Sequence, residues 1–112
     1  MKQEYATPSD LTVDDKATTV DAILRYRSER PTMPLFKRQS GGQWVNVTAK
    51  HFADEVDAVA KGLIASGVEA GDRVAILSST RYEWTVLDYA IWRAGATTCL
   101  LYTSDAADDS LR

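Results

Sequence analysis

The sequence predicts an α/β fold in which a helix, a β-hairpin and a second helix precede one βαβ unit. Three observations carry that expectation. The run Val74-Ala75-Ile76-Leu77 is apolar without alternation and of strand length, the pattern of a parallel strand covered on both faces. A helical stripe follows it at once, opened by Thr80-Arg81-Tyr82-Glu83 and closed at Gly95, and Thr97 and Thr98 then begin another strand. Further upstream, Gly41-Gly42 separates two short segments rich in β-branched and aromatic residues, which reads as a hairpin.

Taken in chain order, residues 1–17 are polar, contain Pro8, Ser9 and the Asp14-Asp15-Lys16 cluster, and show no period of 2 or 3.6, so they read as a flexible arm. From Thr18 an amphipathic helix is expected, with Val20, Ile23 and Leu24 inward and Asp21, Arg25, Arg27 and Arg30 toward water; Pro31 ends it. The hairpin arms are Pro34 to Arg38 and Gln43 to Thr48, joined through Gln39-Ser40-Gly41-Gly42, whose glycines accept positive φ. In the second arm Trp44, Asn46 and Thr48 share one face and Val45 and Val47 the other. Thr48 then caps a second helix of about 18 residues, in which Phe52, Val56, Val59 and Leu63 form the core stripe and Gly67 the C-terminal stop. In the third helix Thr80 and Glu83 form a capping box, Trp84, Leu87, Ile91 and Ala94 face the core, and Val86 and Ala90 widen that face.

Composition excludes several function classes. Of 112 residues, 13 are basic and 16 acidic, a net charge of -3 that argues against a nucleic-acid footprint. No apolar stretch approaches the roughly 20 residues of a bilayer span, and the start lacks the apolar core of a secretory signal, so a cytoplasmic location is expected. Cys99 is the single cysteine, which leaves no internal disulfide and no cysteine-based zinc knuckle.

Candidate chemistry is sparse. His51 stands on a helix with no predicted carboxylate partner and reads as a solvated histidine rather than a general base. Glu83 and Asp88, five apart on one helix, point about 140° from each other and cannot act as a paired acid and base; Glu83 is read as half of the capping box, and Asp88 as a position solvated or paired near Arg81 or Trp84. Trp84, Tyr89 and Trp92 read as core or interface aromatics rather than an acyl-binding wall. Arg25, Arg27 and Arg30, interrupted by Glu29, read as a solvated face. Ser78-Ser79-Thr80 lies at the carboxyl end of a presumed parallel strand, where open α/β sheets bind ligands, but its hydroxyls also suit the strand-to-helix turn. The catalytic, cofactor-binding and metal sites are therefore all expected to be empty of residues from this segment.

From Thr19 to Thr98 the chain resembles the beginning of the adenylate-forming acyl-CoA synthetases, most closely the bacterial long-chain fatty-acid branch. The carrying segments are Asp21-Ala22-Ile23-Leu24, Pro34-Leu35-Phe36, Gln43 to Thr48, Val59 to Ile64, Gly71 to Leu77 and Thr80 to Ala96. The stretch from Arg81 to Gly95, with Tyr-Glu-Trp and two later aromatics, points to the fatty-acid branch. The resemblance implies part of the N-terminal subdomain of the adenylate-forming fold, and a parent ligase that uses ATP and magnesium to make an acyl adenylate before passing the acyl group to coenzyme A. It implies fatty acid, ATP and CoA as partners of that parent, no nucleic acid, no transmembrane segment, and room for peripheral membrane contact. The family's Ser/Thr/Gly-rich phosphate loop, its adenosine-binding segment, its ribose-binding Asp and its adenylating Lys have no counterpart here, so the segment alone is expected to be inactive.

After Thr98 the family continues with a small or apolar residue, Pro, an apolar residue and Tyr, whereas residues 99–112 run CLLYTSDAADDSLR. Cys99 to Asp108 resembles a translated frame of a sequencing-library adapter. The organisation expected is thus a flexible arm at 1–17, an incomplete N-terminal part of an AMP-binding synthetase domain at 18–98, and a non-native tail at 99–112. Two alternatives stand beside this: another adenylate-forming enzyme (short-chain acyl, aryl or peptide-synthetase adenylation), and a stand-alone, non-catalytic α/β binding module. With few neighbours for the Val74–Leu77 run, exposed strand edges and marginal stability are expected.

Overall fold

The architecture comes from a computed structural model that describes residues 3–12 and 14–101. Most of the segment read as adapter, from Tyr102 onward, lies outside the described residues. The elements are α1 (Thr19–Glu29), β1 (Pro34–Ser40), β2 (Gln43–Thr48), α2 (Ala49–Ala65), β3 (Arg73–Leu77), α3 (Tyr82–Arg93) and β4 (Thr97–Leu101). β1 and β2 form an antiparallel pair, and β3 and β4 a separate parallel pair joined by α3. This is the α/β arrangement expected from the sequence, with its βαβ unit in place.

Local chemistry explains most boundaries. Thr18 accepts a hydrogen bond from the Asp21 amide at 3.1 Å, and Thr48 one from the His51 amide at 3.2 Å, so α1 and α2 each begin on a threonine cap. Gly41 and Gly42 have φ of 58° and 80°, the left-handed pair a two-residue hairpin turn requires. Ser40 consequently pairs directly with Gln43, and β1 runs two residues further than the sequence suggested. At the other ends, α2 and α3 close in the same way. The amides of Gly67 and Val68 bond back to the carbonyls of Ile64 and Leu63, and those of Gly95 and Ala96 to Trp92 and Ile91. In each helix the second of these bonds brings an apolar residue beyond the cap onto the last turn, Val68 near Leu63 and Ala96 near Ile91.

Two apolar clusters result. The larger gathers Ile23 of α1, Val47 of β2, Phe52, Val56 and Ala60 of α2, and Val86 and Ala90 of α3. Phe36, Tyr82 and Tyr89 surround Phe52 with ring centroids 4.9, 6.4 and 5.4 Å away, the tilted and edge-on geometries that aromatic quadrupoles favour. The smaller cluster is Ile76, Ile91 and Ala96, with Trp84, Leu87 and Val74 against it. α3 therefore serves both: Val86 and Ala90, expected only to widen its core face, are the residues it buries against α2.

Two expectations are corrected here. β3 is covered on one face only: Ile76 is buried under α3, while Ala75 and Leu77 on the opposite face are exposed. The apolar run belongs to a strand meant to be covered twice, but the described residues supply one layer. The capping box is also absent. α3 is preceded by Arg81 in extended conformation with no side-chain cap, because Glu83 turns to two arginines instead of back to Thr80.

Candidate functional site

The densest polar arrangement lies where the hairpin meets the start of α3. Arg38 of β1 crosses to Glu83 of α3, donating to the carboxylate at 2.8 Å, and its guanidinium stands over the Tyr82 ring, 4.4 Å from the centroid. Arg81 donates to the other oxygen of Glu83 at 3.1 Å. Glu83's own backbone amide, and after it Arg81, holds that carboxyl below its usual range against the opposing effect of burial. The Tyr82 hydroxyl donates to Glu55 of α2 at 2.9 Å, and burial followed by that hydrogen bond pushes the phenol upward. His51 Nε2 lies 3.1 Å from the same Glu55 oxygen. Beside this chain of contacts an open groove of about 450 Å³ is lined by Lys37, Arg38, Gln39, Trp44 and Thr80 to Glu83.

A second network locks the three helices together. Asp57 of α2 accepts from Arg27 of α1 at 2.7 Å and from Arg93 of α3 at 3.1 Å; Arg27 also reaches Asp54, which Lys50 holds at 2.7 Å. Burial pushes the Asp57 carboxyl up, but the hydrogen bonds from Arg27 and Arg93 outweigh it and hold the group below its ordinary value. The hydrogen bond from Lys50 does the same for Asp54. A shallow groove of about 340 Å³ beside it is lined by Asp57, Ala60, Lys61, Ile64 and Arg93.

These contacts revise the sequence reading at several residues. His51 is exposed as expected, yet it has the carboxylate partner, Glu55, that was not foreseen; the i,i+4 spacing on α2 was the available signal. Arg27 is not part of a solvated face: it is half-buried between Asp54 and Asp57. Asp88 does not pair with Arg81, and its Oδ1 is buried without a partner, as are Trp84 Nε1 and Thr98 Oγ1. Tyr89 packs on Phe52, which fits core packing, while Trp92 beside it, 5.1 Å away by ring centroids, is exposed. Ser78 donates to the Ser79 carbonyl at 3.0 Å, a bond internal to the turn. Tyr82 and Arg38, which organise the groove, were not singled out from sequence because their partners are 27 and 45 residues away.

Chemically, both networks are closed salt bridges. Glu83, Asp54 and Asp57 are matched by arginine or lysine and Glu55 by the Tyr82 hydroxyl and His51, so the arrangement offers charge pairing and ring packing rather than a nucleophile oriented by a base. Among the described residues no group of three or more His, Cys, Asp and Glu side chains could hold a metal ion.

Residues 24–110 match the model of the AMP-binding enzyme family. The chain belongs to that family. Long-chain-fatty-acid–CoA ligase FadD15 of Mycobacterium bovis is 37% identical over 106 residues, which covers 95% of the present chain and 18% of that ligase. The FadD15 of Mycobacterium tuberculosis matches to the same extent. Among solved structures, a Rhodopseudomonas palustris protein assigned as a long-chain-fatty-acid CoA ligase superposes with a TM-score of 0.72 at 29% identity, over 86% of this chain and 23% of that one. The fatty acid AMP ligase of Legionella pneumophila superposes at 0.70 and 19% identity, over 82% and 17%, a likeness of fold. This AMP-binding family segment thus spans under a fifth of the length of these two ligases.

Proposed function

We propose that the chain is the opening part of a long-chain fatty acid:CoA ligase and that its role there is structural. The whole ligase would activate a fatty acid with ATP and magnesium as an acyl adenylate, then form the thioester with CoA, in the cytosol. The observation that carries this reading is the 37% identity to a ligase of that specificity over 95% of the chain. The site geometry supports the structural half of it: the Arg38–Glu83, Arg27–Asp57, Arg93–Asp57 and Tyr82–Glu55 contacts fasten the hairpin and the three helices to one another. The outward face of β3, apolar at Ala75 and Leu77, then rests against the remainder of the ligase. No helix among the described residues is long and apolar enough to cross a membrane.

The test is direct. The purified 112-residue polypeptide, supplied with palmitate, ATP, magnesium and CoA, should give no palmitoyl-CoA and no palmitate-dependent pyrophosphate release; turnover by it would overturn the structural role. Residues 99–112 belong, on the same reading, to a library adapter. Resequencing the source DNA across codon 99 should return the ligase sequence in place of CLLYTSDAAD, and an uninterrupted genomic frame containing that tail would refute the adapter assignment.

A further inference from the structure

We draw no further inference here: the strongest candidate, the set of buried and unpartnered polar atoms on α3 and β4 (Trp84 Nε1, Asp88 Oδ1 and Thr98 Oγ1), carries nothing, because nothing in the structure shows what meets them.

Discussion

The two apolar clusters of this chain are built on opposite terms. The first is enclosed by α1, the hairpin, α2 and α3, and Phe52, Val56 and Ala90 within it are sealed from solvent. The second has α3 on one side and, among the described residues, no layer on the other: Ile76 is buried against Ile91 of the helix while Leu77, one residue along β3, is 62% exposed. The difference teaches that burial here follows how many layers a segment finds within the chain, not how apolar its sequence is. β3 is more apolar than the hairpin, yet only Ile76 of its five residues is buried.

Core truncations should expose that asymmetry most strongly. Phe52→Ala removes a ring packed against Phe36, Tyr82 and Tyr89 and should cost about 3–5 kcal/mol, whereas Ile76→Ala in the one-sided cluster should cost about 2 kcal/mol. Urea unfolding of the pair reads the gap, and equal losses would mean that the second cluster is as closed as the first. Next in size is the contrast between the two glycine caps. Both have positive φ, but a Cβ at Gly95 would stand 3.3 Å from the Ala70 Cβ while one at Gly67 meets nothing. Gly95→Ala should cost about 2 kcal/mol and Gly67→Ala about 1 kcal/mol.

A smaller effect belongs to the salt-bridge network of the enclosed half. Asp57 has its folded pKa depressed, so its contribution is fully present above the ordinary carboxylate value near about 4 and is lost as pH falls through the lower folded value. Asp57→Asn should lower stability by about 1 kcal/mol at pH 7, and the variant should lose less than the parent between pH 5 and pH 2 (a range of about three units around that value). Unfolding curves at several pH values check the sign. The smallest change is expected on the open face: Leu77→Ser should shift stability by less than about 0.5 kcal/mol while raising solubility, read by light scattering.

How far the sequence revealed this depends on the range of each interaction. The threonine caps at Thr18 and Thr48, the diglycine turn and the two glycine stops are settled within four residues, and each was legible. The capping box failed for the opposite reason: Thr80 and Glu83 have the right spacing, but Arg38 is brought to Glu83 from the hairpin and competes for the carboxylate. Arg27 and Tyr82 were misread or passed over because their partners Asp57 and Glu55 lie on another helix, and periodicity cannot say which charged faces will meet; His51, four residues from Glu55 on α2, carried a local signal that went unused. The incomplete covering of β3 was legible from chain length rather than from pattern, since the pattern records a strand's preference and not what the chain supplies.

The turns that open the two parallel strands are themselves joined, the Gly71 amide to the Gly95 carbonyl at 2.9 Å and the Thr97 amide to the Asp72 carbonyl at 2.8 Å. Alignment of the ladder is consequently decided at its base, by main-chain groups, before any side chain past Thr98 is reached. Whatever residues follow that point inherit the alignment, so a graft there can lengthen or shorten the ladder without sliding one strand along the other.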